Sequence, residues 1–267
     1  MRLLTPLVPD PRAPLARANP VAKLGAALLL MLALFASLDG VTAAVVLVAL
    51  LGLLPISGLA PSALLRRAWL VLLAAVSIAL VNVLFAPEQA GPPVVSIGPI
   101  RIGAETLLNG VGLGVRLLAI AMAGLLATAT SQPTDVADAL VQQLHVSPRF
   151  AVGALAALRL LPLLATEWQT IAMARRARGV EAGRSPIAAF RLFAGQLLAL
   201  LVGAIRRGSR MALAMEARGF GSRDCRSVAR EQRMRPGDWA WVAGAGVLAA
   251  VAIGLSAWLG TWRPLFG

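Results

Sequence analysis

Apolar residues recur in long uncharged runs, and the polar residues between the runs mark where each must end. A hydrocarbon core of about 30 Å needs roughly 20 consecutive apolar residues to cross it as a helix. Five stretches read this way. Val21 to Leu38 is broken by Asp39-Gly40, and Val41 to about Leu54 ends at Pro55; both are short. Ala68 to Phe85 follows Arg66 and Arg67, and Leu107 runs to about Thr130. Trp239 to Trp262 is flanked by tryptophans that suit a membrane interface. Asn19-Pro20 sets up the first helix start, because proline fits the opening turn. Ala86 to Gly103 is rich in Pro and Gly and contains V-V-S-I-G-P-I-R-I-G, which predicts a small hairpin or irregular loop.

Two further runs are shorter. Ala151 to Ala165 and Leu192 to Ile205 are apolar for about 15 and 14 residues, and Arg159 sits inside the first. Runs of that length suit buried or interfacial helices rather than spans. Each continues into basic amphipathic turns, W-Q-T-I-A-M-A-R-R and R-R-G-S-R-M-A-L-A-M-E. The expected helices run from Ser147-Pro148 to Arg178, with a kink at Pro162, and from Ser185-Pro186 to Arg218. A short amphipathic helix, Thr134 to Leu144, precedes them, with Thr134 as its cap candidate and Asp135 and Asp138 in or near its first turn. The resulting fold class is an all-α polytopic membrane protein. About five transmembrane helices are joined by a cytoplasmic coupling domain of one short and two long helices. Residues 1–130 hold the N-terminal tail and spans one to four, 131–237 the coupling domain, and 238–267 the last span and tail.

The two long helices end alike. Ile171 to Val180 reads I-A-M-A-R-R-A-R-G-V and Met211 to Phe220 reads M-A-L-A-M-E-A-R-G-F. Each closes on Ala-Arg-Gly and an apolar residue: Ala177, Arg178, Gly179 in one and Ala217, Arg218, Gly219 in the other. Glycine supplies a left-handed stop, the next apolar residue folds back onto the last turn, and the dipole favours a nearby arginine. One copy is an ordinary helix stop. Two copies suggest two parallel lever arms, each presenting an arginine to the same kind of partner.

Composition narrows the class. Apolar residues make up 58% of the chain, mean hydropathy is +0.79, and charged residues are 14%, against about 25% in soluble domains. The net charge of +13 could suit nucleic acid, but aromatics are 5% with no tyrosine, and the arginines cluster between apolar runs. Of 25 Lys and Arg, all but Arg101, Arg116 and Arg263 fall on one side of the five-span layout. The positive-inside rule puts that side, with the N-terminus and the helical domain of residues 131–237, in the cytoplasm. Seven spans, with both long helices crossing, give the chain ends the same orientation. Cys225 is the only cysteine, so one chain forms no disulfide.

Chemistry is sparse. His145 is the only histidine and lies beside a turn, where solvation or capping explains it. No phosphate-binding loop and no G-x-S-x-G elbow occur. Arg116 is the one costly charge inside a span, marking a function or bonded inward to helix carbonyls. The chain reads as a non-catalytic subunit with no metal or cofactor site of its own.

N-P-V-A-K-L at the first span, T-S-Q-P-T-D-V-A-D-A-L after the fourth, A-L-R-L-L-P-L-L with Glu167, and the paired A-R-R-A-R-G and A-M-E-A-R-G-F-G together resemble one family. It is the T component of energy-coupling factor (ECF) transporters, often called EcfT and including CbiQ-type members. The resemblance covers nearly the whole chain, and the doubled Ala-Arg-Gly is its specific part. It implies a scaffold on which two cytoplasmic ABC ATPases dock, one at each of Arg178 and Arg218, with ATP bound by those subunits. It also implies a separate membrane S component that binds a vitamin or a transition-metal ion and rests on the apolar face of the same helices. Arg159 with Glu167, and Glu216 with Arg210 or a nearby basic group, are candidate supporting pairs, and Arg116 a further supporting residue. A conventional ABC importer permease also docks on ATPases, usually through one coupling loop. A membrane-embedded enzyme would cluster ionisable residues inside the spans, where little beyond Arg116 and Asn82 is polar.

Overall fold

Proline begins most of the helices, as its fixed φ and missing N–H allow at the first turn. The computed structural model describes residues 13–59, 61–86, 91–97, 100–181, 183, 185–220 and 230–262. Arg2, Arg12, Cys225 and Arg263 lie outside the described residues. In chain order the helices are α1 (Pro14–Arg17), α2 (Pro20–Ala36), α3 (Gly40–Gly52), α4 (Leu54–Ser57) and α5 (Pro61–Leu84). After a two-stranded hairpin come α6 (Ala104–Ala129), α7 (Pro133–Gln143), α8 (Pro148–Ala177), α9 (Pro186–Ala217) and α10 (Pro236–Trp258). The expected loop is thus a hairpin, β1 (Pro93–Ile97) against β2 (Ile100–Gly103), antiparallel with Ser96 opposite Arg101.

The chain forms two compact units. One holds residues 1–139 and 232–267, the other 140–231. In the first, α2, α3, α6 and α10 pack around Leu30, Leu34, Val46, Leu50, Ala119, Leu126 and Ala252. Outward positions such as Leu32, Phe35, Leu73 and Val247 are apolar and exposed, the inverse of a water-soluble surface. α5 lies against α6 where Gly110 and Gly114 face Ala75 and Ala79.

Short polar caps punctuate this unit. The Asn19 side chain accepts the Val21 N–H at 2.9 Å and starts α2. Asp39 accepts the Thr42 N–H at 2.6 Å and starts α3; Ser37 also donates to it. Arg116 points inward, and its Nη2 donates to the carbonyl oxygens of Ser37 at 2.6 Å and Asp39 at 3.2 Å. Those carbonyls lie just past the end of α2 and have no intrahelical partner, so the guanidinium closes a gap in backbone bonding.

One local expectation changes. Thr134 sits inside the first turn of α7, because Pro133 takes the opening position and Gln132 accepts the Val136 N–H. α8 and α9 are, with α6 and α10, the described helices long and apolar enough to cross a membrane by length and composition. The reason is that Phe150–Thr166 carries only Arg159, and Ile187–Ile205 only Arg191, so both apolar stretches outlast the uncharged runs.

Candidate functional site

In the second unit, α8 and α9 hold almost nothing between them. Ala151 is the one buried residue of α8, and α9 has none. Polar and aromatic contacts join the helices. The Arg175 Nη1 donates to the Leu192 carbonyl at 2.9 Å. The Trp168 and Phe193 rings meet edge to face at 5.4 Å. Glu167 Oε2 lies 2.6 Å from Arg207 Nη1. Glycines on α9 make room for these charges: a methyl group at Gly195 would meet the Arg175 guanidinium at 3.2 Å, and one at Gly203 the Glu167 carboxylate at 3.2 Å. Trp168, Ala172, Arg175, Leu192 and Phe193 line a groove of about 440 Å³ on this seam.

The order of contacts fixes the helix directions. Moving back along α8 from Arg175 to Glu167 moves forward along α9 from Leu192 to Arg207, so the helices run antiparallel. The expectation of two parallel arms is therefore corrected: Arg178 lies beside the start of α9, and Arg218 at its far end. From Leu192 to Arg218 there are about 40 Å of helix at 1.5 Å per residue. A short turn between two long helices forces this, because the chain must double back.

The two ends are built alike despite that separation. After α8, the Val180 N–H reaches the Arg175 carbonyl at 3.0 Å and the Gly179 N–H reaches Arg176 at 2.9 Å. After α9, Phe220 reaches Met215 at 3.0 Å and Gly219 reaches Glu216 at 2.9 Å. Both are Schellman stops, with glycine in the left-handed conformation at φ 73° and 78°. Arg178 and Arg218 are the C-caps, with φ/ψ of −90°/7° and −89°/10°, so the helices end at Ala177 and Ala217. Both arginines are exposed, and their guanidiniums have no partner among the described residues. The surroundings differ: Arg175 and Arg176 precede Arg178, whereas Met215 and Glu216 precede Arg218.

Alanine at Gly179 or Gly219 is expected to strain the left-handed turn by about 1 kcal/mol. The expected result is faster amide exchange at Val180 or Phe220 with the rest of the unit unaffected. Asparagine, which tolerates this conformation, should do less harm than alanine. Exchange in the alanine variants equal to wild type would show that the glycines do not set these turns.

The supporting pairs fall elsewhere. Arg159 and Glu167 are about 12 Å apart along one helix, too far for an ion pair, and Glu167 turns to Arg207 across the seam. Arg159 is exposed on α8. Glu216 forms no ion pair with Arg210 among the described residues; the Arg210 Nε instead donates to the Arg206 carbonyl at 3.4 Å. Arg116 belongs to the first unit and joins neither arginine. His145 takes a left-handed conformation, φ 55°, after α7. Trp168, Gly195, Gly203 and Arg207, which hold the seam, carry one sequence signal: Gly195, Gly203 and Arg207 recur near two- and one-turn intervals on α9.

The chain is similar to known proteins. The profile of the family described as "CbiQ: Cobalt transport protein" matches residues 11–227. The chain is 33% identical over 161 residues to the energy-coupling factor transporter transmembrane protein EcfT of Leuconostoc gelidum subsp. gasicomitatum, covering 57% of this chain and 58% of that one. The protein of the same name from Thermosediminibacter oceani is 30% identical over 171 residues, 61% of this chain and 64% of its own. That of Bacillus subtilis is 27% identical over 175 residues, 62% and 66%. The matched part thus spans less than two thirds of each of these relatives.

Proposed function

Because the chain belongs to the CbiQ family of transporter transmembrane proteins, we propose that it is the coupling (T) component of an ECF-type importer, a non-catalytic subunit that links ATPases to substrate uptake. Two ABC ATPase subunits bind at Arg178 and Arg218, one to each helix end, and ATP is bound by them. Ala177 and Ala217 allow close approach. Gly179 and Gly219 stop the helices so that the arginines project. A guanidinium offers five donors in a rigid fork, suited to acidic and carbonyl groups in a groove.

ATP-driven closure of the ATPases shifts the two helix ends, and the α8–α9 hairpin carries that movement toward a separate substrate-binding S component. Exposed Phe190, Leu197, Leu201 and Ile205 on α9 supply the apolar surface on which that subunit rests. The cargo is a vitamin or a transition-metal ion, chosen by the S component. The N-terminus and the helix ends face the cytoplasm, a placement that the clustering of positive charge supports.

The observation that carries this reading is the pair of matching Schellman ends, each with an exposed arginine, at separated points on one hairpin. One chain then engages two copies of the same fold without their colliding. The test is native mass spectrometry of the full chain co-expressed with the ATPases of an ECF operon. Two ATPases and a small membrane subunit per chain are expected. A chain recovered without ATPases would refute the proposal.

A further inference from the structure

The most deeply buried cation among the described residues lies in the first unit, among the segments by which the chain leaves that unit and returns to it. Lys23, on the first turn of α2, is 4% exposed. Its ammonium donates to the Thr130 carbonyl, just past the end of α6, at 2.8 Å. The carboxylates of Asp135, in the first turn of α7, and Asp238, in the first turn of α10, attract it. Asp238 is itself buried and bonded twice: Oδ1 accepts the Asn19 N–H and Oδ2 the Arg235 N–H, both at 2.8 Å. The start of α2 is thus tied to the end of α6 through Lys23 and to the start of α10 through Asn19, with the Asp135 and Asp238 carboxylates attracting the ammonium.

These positions bracket the passages. The chain leaves the membrane unit after residue 139, nine residues beyond Thr130 and four beyond Asp135, and returns at residue 232, just before Arg235 and Asp238. Beyond the boundary the two passages are also bonded to each other, since Gln142 Nε2 donates to the Arg230 carbonyl at 2.8 Å. A desolvated ammonium holds its acceptors firmly, because each lost contact leaves buried charge unmatched.

Resting on the coupling role proposed above, we infer that Lys23 is a positioning residue for transmission: bonded to Thr130 and balancing the Asp238 carboxylate that Asn19 holds, it keeps the outgoing and returning passages of the chain against the start of α2. Movement of the α8–α9 hairpin then reaches the membrane helices as displacement instead of being absorbed in two slack connections. Packed side chains, hydrogen-bond networks and rigid elements with discrete arrangements can carry coupling between distant sites.

The test uses the full membrane-embedded chain with Lys23→Met, which keeps the stem and removes the charge. Because that variant strands a buried carboxylate, Lys23→Met/Asp238→Asn is made beside it. Hydrogen exchange over residues 128–139 and 230–240 should quicken by about tenfold or more in both variants. Exchange where α5 packs on α6 should not change. In the assembled transporter, ATP hydrolysis should stay within about twofold of wild type while uptake falls by about tenfold. Unchanged exchange at either passage in the double variant overturns the inference. So does uptake that keeps pace with hydrolysis although both passages have loosened. The exchange measurement needs no partner, so a wild-type chain that captures no ATPase would refute the coupling role and leave the lock itself readable.

Discussion

Alanine at both Arg178 and Arg218 is expected to remove ATPase capture altogether at micromolar concentrations and, with it, ATP-driven uptake. A buried arginine at the centre of an interface contributes on the order of 2–4 kcal/mol, or roughly 30- to 1000-fold in affinity. The two arginines are separated by about 40 Å of helix, so their contributions should add without interference. Each single variant should therefore weaken one ATPase contact and leave the other intact. Lysine should recover little, because a point charge cannot reproduce a bidentate fork. Folding is not at risk, since both stops are made by backbone groups: Gly179 to Arg176, Val180 to Arg175, Gly219 to Glu216 and Phe220 to Met215. Quantifying ATPase per chain after affinity purification, with uptake alongside, reads the result. A double variant that still carries two ATPases would reduce both Ala-Arg-Gly ends to helix stops.

Leucine at Gly110 is expected to prevent stable folding of the membrane unit, the largest structural effect in the chain. A methyl group there already collides with the Val83 side chain and lies 3.0 Å from the Ala79 carbonyl oxygen. Gly114 is similarly placed, 3.1 Å from the Ala75 carbonyl oxygen. α5 and α6 meet backbone to backbone, as membrane helices do when small residues line the seam. Gly110→Ala should cost about 1–3 kcal/mol, the usual range for overpacking. Adding Val83→Ala should recover part of that loss, because the side chain can be shortened while the Ala79 carbonyl cannot move. Denaturant midpoints in detergent, followed for α5–α6 unfolding, give the ranking. Wild-type stability in Gly110→Leu would mean that the helices do not approach this closely.

Much of the architecture was legible because its signals are local. Seven of the ten described helices start at proline: Pro14, Pro20, Pro61, Pro133, Pro148, Pro186 and Pro236. The doubled Ala-Arg-Gly announced two glycine stops, and the geometry repeats to within a few degrees. What misled were relations across distance. The Arg159–Glu167 pairing assumed that residues on one helix answer each other, whereas Glu167 finds Arg207 on the neighbouring helix. Thr134 has the chemistry of a cap but follows Pro133, which opens the turn first.

By itself, then, the sequence determined the class of protein, the positions of most helices and the two arginine ends, because hydropathy, proline and glycine act within a few residues of where they stand. Tertiary structure decided what those parts face. It paired Glu167 with Arg207 and set Trp168 against Phe193 across the α8–α9 seam. It directed Arg116 onto the open carbonyls after α2, and gathered Asn19, Lys23, Thr130 and Asp238 from three places in the chain into one buried cluster. Such contacts depend on which helices lie side by side, and that is chosen by packing summed over the whole bundle rather than by any local pattern.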